Sequence, residues 1–124
     1  QRELYEVMTE VSASPLNADQ FHRVTEEQVR KLEDEIAHFS LVVEIPDGFI
    51  LPRDSPASAG IAFARTIARR AERRVAELIY REELQNRELL RYLNRLSSLL
   101  FVLELYLIQQ GKHKKPLMAK VEKA

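Results

Sequence analysis

The sequence predicts an all-α fold, an antiparallel up-down helical bundle with four helices, and three observations carry that prediction. Apolar residues recur at three- and four-residue steps along four stretches of the chain, the spacing of an amphipathic helix. Helix-start chemistry, a polar cap followed by a matched partner or by proline, stands ahead of two of these stretches. The composition is 45% hydrophobic and 31% charged, with three glycines and no tryptophan, which suits a helical domain rather than a sandwich or a disordered tail. Residues 1–124 make one domain, large enough to bury about two-thirds of its unfolded surface.

The chain opens on QRELYEVMTEV, where Leu4, Val7, Met8 and Val11 form one stripe with no cap or turn signal before them. Such a start reads either as a chain entered mid-fold, with preceding residues absent, or as an ordinary frayed first helix. SASPLNADQ is a loop by its Ser, Pro, Asn and Asp content. Thr25 and Gln28 then form a capping box, Val24 and Val29 are spaced as a hydrophobic staple, and Val29, Leu32 and Ile36 supply an apolar stripe. Residues 26–39 are therefore expected to be helical. In SLVVEIPDGFILPRDSP, Pro46, Gly48, Pro52 and Pro56 forbid a long regular element, while the apolar residues between them indicate an ordered connection lying on the core. Ser55 and Pro56 are an N-cap and first-turn pair for a third helix that should run to about Leu84, with a short break at Gln85 and Asn86. The fourth helix carries a seam of Leu89, Leu93, Leu96, Leu100, Leu103 and Leu107, the alternation with which a helix packs nearly parallel to its neighbours. Gly111 ends it, and a basic tail, KHKKPLMAKVEKA, follows.

The third helix contains RTIARRAERRV, residues 65–75, with five arginines, in a chain whose 19 basic and 19 acidic residues otherwise balance. At about 100° per residue, Ile61, Ala64, Ala68, Ala71, Val75 and Leu78 share the core stripe, and its alanines admit a closely packed neighbour. Arg65, Arg69, Glu72 and Arg73 fall on an adjacent stripe at a seam, while Arg70, Arg74, Glu77 and Arg81 lie farther round toward solvent. Two uses fit the inner set: ion pairs with Glu72 and other acids that lace helices together, or a site for carboxylate or phosphate. No lysine occurs between Lys31 and Lys112, although lysine serves equally well on a solvated face. Arginine is the better choice where a planar fork must grip an oxyanion, so a site is favoured.

Other classes of function find little support. Zero net charge, no exposed aromatics interleaved with the arginines, and no helix-turn-helix or zinc-finger spacing argue against nucleic acid. No apolar run approaches the roughly 18 residues that span a bilayer, and no leader opens the sequence, so a soluble, cytoplasmic protein is expected. There is no cysteine, hence neither disulfide nor thiolate site. His22, His38 and His113 have no second ligand at metal spacing, so no metal site is assigned to the chain. No Ser-His-acid set and no glycine-rich phosphate loop are present, so a phosphate site would be built from arginine side chains or from residues outside these 124.

FILPRDSPASAGIAFARTIARRAERRVAELIYREE followed by LRYLNRLSSLLFVLELY resembles the PduO-type ATP:cob(I)alamin adenosyltransferases. Their signature joins F-(I/V)-L-P-G-G-(S/T), A-R-(T/A)-x-x-R-R-A-E-R and L-N-R-L-S-D-x-L-F. Upstream, QRELYEVMTEV is similar to the family's second helix and VTEEQVRKLEDEI to its third, so the likeness covers essentially the whole chain. The resemblance implies a five-helix bundle assembled as a homotrimer with active sites at subunit interfaces. The first helix and the N-terminal segment that wraps the ATP phosphates would then lie outside these 124 residues.

The implied reaction transfers the 5′-deoxyadenosyl group of ATP to cob(I)alamin, giving adenosylcobalamin and triphosphate, with Mg²⁺ on the phosphates. By position, Arg69, Arg70, Glu72 and Arg73 match the nucleotide-binding element, and Asn94 matches an asparagine that contacts ATP. Arg65 matches an arginine that pairs with an acid of the adjoining subunit. Phe49 and Phe101 match aromatic positions on the cobalamin side, with plain core packing as the competing reading. A cobalamin reductase and an adenosylcobalamin-dependent enzyme are possible partners. Three features depart from the expectation: helical geometry leaves Arg70 outside the inner stripe, Arg53 and Asp54 replace a Gly-Gly pair, and Ser98 replaces an acid. The competing functions are a non-catalytic trimeric interaction protein, or a nucleotide-binding protein that lacks the N-terminal ATP loop.

Overall fold

A computed structural model describes residues 1–14, 16–51, 55–111 and 118–119. Among the described residues there are four helices, α1 Arg2–Ser12, α2 Glu26–Ser40, α3 Pro56–Tyr80 and α4 Glu88–Gln110, and one 3₁₀ turn at Ala18–Phe21. α4 is central and packs on both α2 and α3. Its pairings with α3 run in opposite directions: Glu72 meets Asn94, and Arg65, two turns earlier on α3, meets Phe101, two turns later on α4. α2 runs with α4, since Val29 and Leu32 join Leu89 and Leu93 in the core while Phe39 meets Tyr106 edge-on at 5.3 Å. The helices thus alternate in direction from α2 to α4, as an up-down bundle requires.

Local chemistry sets the helix starts. The Thr25 N–H donates to the Gln28 side chain at 2.6 Å in a closed capping box, and Val24 and Val29 are both buried as its staple. At α3, the Ser58 N–H donates to the Ser55 hydroxyl at 3.1 Å, with Pro56 in the first turn. Asn86 prepares α4: its side-chain oxygen accepts from the Glu88 N–H at 3.1 Å.

Four expectations need correction. The connection after α2, expected to lie on the core, instead exposes Leu41, Val42, Ile45 and Phe49, so its order comes from backbone contacts with the C-terminal part of the chain and not from burial. α3 stops at Tyr80 instead of about Leu84, because Glu82 adopts a left-handed φ of 60°. The Glu83 N–H reaches the Leu78 carbonyl at 2.9 Å and the Glu82 N–H reaches the Ile79 carbonyl at 3.0 Å, the paired bonds of a Schellman stop. On α1, Val7 is buried and Val11 packs on the core, but Met8 is 64% exposed; Glu10, at 5%, takes the place expected for an apolar side chain. Its carboxylate accepts from the Arg23 and Val24 N–H groups at 3.1 and 2.9 Å and from the Asn86 side chain at 2.5 Å, which ties three segments together. On α4 the leucine seam holds at Leu89 and Leu93 and, partly buried, at Leu96. Farther along, Val102, Leu105 and Ile108 are buried while Leu100, Leu103 and Leu107 are only partly covered. At roughly 34 Å long, α4 changes neighbours along its length, so its buried face turns.

The segment carrying Phe49 is held at both ends by the C-terminal part of the chain. The Gln109 amide grips Glu44 through both backbone groups, at 3.0 and 2.7 Å. The Ala119 N–H donates to the Phe49 carbonyl at 2.7 Å beside an antiparallel bridge between Ile50 and Met118. Gly48 packs closely there: a Cβ would lie 3.0 Å from the Met118 methyl, the mobile end of a flexible side chain.

Candidate active site

Two cavities open beside the α3–α4 contact. The first, about 450 Å³, is lined by Ala62, Arg65, Thr66, Arg69 and Arg73 of α3, by Glu104 of α4 and by Ile50. Four-residue steps along α3 set the three guanidiniums one above another on a single helix face, as expected for the inner stripe. The Arg65 guanidinium lies 4.9 Å from the centre of the Phe101 ring, in range for a cation–π contact. The Arg65 Nε is buried with no hydrogen-bond partner among the described residues. Arg69 pairs with Glu72 at 2.8 Å, whereas neither Arg65 nor Arg73 has a carboxylate partner among the described residues. Helix lacing therefore accounts for one of the three. Phosphate or carboxylate oxygens fit the other two.

The second cavity, about 320 Å³, is lined by Glu33 of α2, Glu72 of α3, and Leu90, Arg91, Asn94 and Arg95 of α4. Glu72 stands between the two cavities: one carboxylate oxygen takes the Arg69 bond, and the other accepts from the Asn94 amide at 2.9 Å. The Asn94 oxygen accepts twice from Arg95, at 3.1 and 2.6 Å. Ser98 closes the chain, accepting from Arg95 at 3.3 Å and donating to the Asn94 carbonyl at 3.3 Å. The hydroxyl thus supplies polar contacts where an acid was expected. Arg69, Glu72, Asn94 and Arg95 form one hydrogen-bonded line across the helix pair.

The remaining candidates separate. Arg70 is exposed and lies off the arginine cavity. Arg74 and Arg81 both pair with Glu77, at 3.3 and 2.6 Å, as a solvated outer face. Phe101 backs Arg65, while Phe49 is 84% exposed and its neighbour Ile50 lines the arginine cavity. Arg53, Asp54 and His113 lie outside the described residues. Sequence reasoning missed Arg95 and Glu104. Arg95 sits inside the NRLS string, and Glu104 is the sole charged residue between Arg95 and Lys112, a signal that could have found it.

This arrangement has counterparts. Residues 1–107 match the family described as cobalamin adenosyltransferase. The chain belongs to that family. Relatives include a cobalamin adenosyltransferase of Cupriavidus metallidurans, 44% identical over 84 residues, which are 68% of this chain and 45% of the relative. A corrinoid adenosyltransferase of Bacillus subtilis is 44% identical over 80 residues, 64% of this chain and 41% of that protein. The chain spans less than half the length of these relatives. Among solved structures, a variant PduO-type ATP:corrinoid adenosyltransferase of Lactobacillus reuteri, complexed with cobalamin and ATP, superposes with a TM-score of 0.77 at 28% identity. That match covers 98% of this chain and 67% of the other. Family membership and the all-α bundle expected from the sequence are therefore both met. No helix among the described residues is long and apolar enough to cross a membrane.

Proposed function

We propose that this chain forms the adenosyltransferase bundle of an enzyme that transfers the 5′-deoxyadenosyl group of ATP to cob(I)alamin. The observation that carries the reading is the stack of Arg65, Arg69 and Arg73 in one cavity, with two of the three lacking a carboxylate partner among the described residues. It is supported by family membership and by a structural relative that holds cobalamin and ATP.

In this reaction the cobalt lone pair attacks the ribose 5′ carbon, the C5′–O bond breaks, and its electron pair leaves on the triphosphate. The protein need not move a proton. Its work is to hold the carbon in line and to spread the charge that develops on the leaving group, and guanidiniums stacked along one wall of a cavity suit that work. Arg69 and Arg73 take the phosphate oxygens. Glu72 and Asn94 orient the nucleotide, because their mutual bond and the grip of Arg95 on Asn94 leave little rotational freedom. Arg65, backed by Phe101, is available to an acid of an adjoining subunit, consistent with a site completed in a homotrimer. Arg70, off the cavity, contributes least. The exposed Phe49 ring offers an apolar wall to the corrin, so Phe101, under Arg65, serves the nucleotide side more than the corrin side.

The cavity's polar side chains are three guanidiniums, the Thr66 hydroxyl and one carboxylate, which do not by themselves form a divalent-cation site. Mg²⁺ is accordingly assigned to the incoming nucleotide, bound to its phosphates. A cytoplasmic setting, with a reductase supplying cob(I)alamin and an adenosylcobalamin-dependent enzyme receiving the product, completes the proposal.

The full-length protein, mixed with ATP, Mg²⁺ and chemically reduced cobalamin without oxygen, is expected to yield the absorbance spectrum of adenosylcobalamin. It is expected to elute from gel filtration at the mass of a trimer. A flat spectral record, with the protein folded, would rule out the transfer.

A further inference from the structure

Glu104 has no task in the scheme above. It is 2% exposed, stands one turn after Phe101 on α4, and lines the same cavity as Arg65, Arg69 and Arg73. The rest of that stretch of α4, from Leu96 to Gly111, carries no other charge. A carboxylate repels phosphate, and in a partly desolvated cavity like charges act on one another several times more strongly than in bulk water.

We propose that Glu104 sets how tightly the cavity holds a polyanion, and that it acts more strongly against free triphosphate than against ATP. This rests on the adenosyl-transfer reading, from which the two ligands come. Breaking the C5′–O bond leaves triphosphate with one more ionisable oxygen than the same group carries in ATP. It keeps every phosphate contact with the arginines. A cavity holding three guanidiniums and no acid would grip this product at least as firmly as the substrate, and departure of the product would then limit turnover. A buried carboxylate on the cavity wall opposes ligand charge in proportion to its amount. The penalty therefore falls harder on the product, and Glu104 discriminates the nucleotide from what it leaves behind.

Titration calorimetry with inorganic triphosphate and with ATP, on wild type, Glu104→Gln and Glu104→Ala, tests this. The Gln variant keeps the side-chain shape and removes the charge. It is expected to bind triphosphate about tenfold tighter and ATP tighter by a smaller factor, with correspondingly stronger inhibition of turnover by triphosphate. The Ala variant should tighten in the same order. Triphosphate affinity that stays constant or falls overturns the proposal, as does equal tightening for both ligands. So does a wild type that binds no triphosphate, or loss of the fold in both variants, which would make Glu104 a structural residue. A wild type that makes no adenosylcobalamin, joined to the expected tightening in Glu104→Gln, would remove the transfer reading and leave the role of Glu104 standing.

Discussion

At the scale of single residues, acids in unexpected places do much of the organising. Glu10 is charged, yet it is buried on the α1 face that carries Val7 and Val11, and it accepts from two backbone N–H groups and from Asn86. Truncation would leave those donors without an acceptor, so Glu10→Ala is expected to lower unfolding stability by about 3 kcal/mol. Chemical denaturation read by helical circular dichroism checks this, and a loss under about 1 kcal/mol would show that water replaces the carboxylate at little cost. Apolar periodicity could not reveal Glu10 or Glu104, since a pattern of hydrophobic positions treats every charged residue as solvent-facing. The partner that makes burial tolerable for Glu10, Asn86, lies 76 residues away. Arg65, Arg69 and Arg73 were legible for the opposite reason: their spacing along one helix is purely local.

At the scale of elements, helix starts were readable and one helix end was not. Thr25 with Gln28, and Ser55 with Pro56, announce themselves in sequence because caps use specific side chains. The stop of α3 is made by Glu82 in a left-handed conformation that usually calls for glycine, so nothing in REELQN marks it. Glu82→Gly is accordingly expected to raise stability by about 1 kcal/mol, seen as a higher thermal midpoint; a lower midpoint would mean that the Glu82 side chain makes a contact worth more than the strain. The α4 seam was half legible. Its first half faces one continuous core with Val7, Val24, Val29, Leu32 and Val75, whereas its second half meets the Phe39 ring and the segment gripped by Gln109. A repeat read along one helix presumes the same neighbour throughout.

At the scale of the molecule, the bundle turns two separate motifs into one locale. RRAER on α3 and NRLS on α4 meet because the helices run antiparallel, and Glu72 couples the arginine cavity to Asn94 and Arg95. The central claim is that Arg69 and Arg73 hold the triphosphate of ATP while Arg70 does not. Titration of Mg²⁺-ATP into wild type, Arg73→Ala and Arg70→Ala tests it most directly, because Arg73 lines the cavity and has no carboxylate partner among the described residues to confound its removal. Arg73→Ala should weaken ATP about thirtyfold, the loss of a charge-assisted contact, with helical content unchanged, and Arg70→Ala should stay within about threefold of wild type. Equal losses at the two positions, or an Arg73→Ala variant that binds ATP like the wild type, would contradict it.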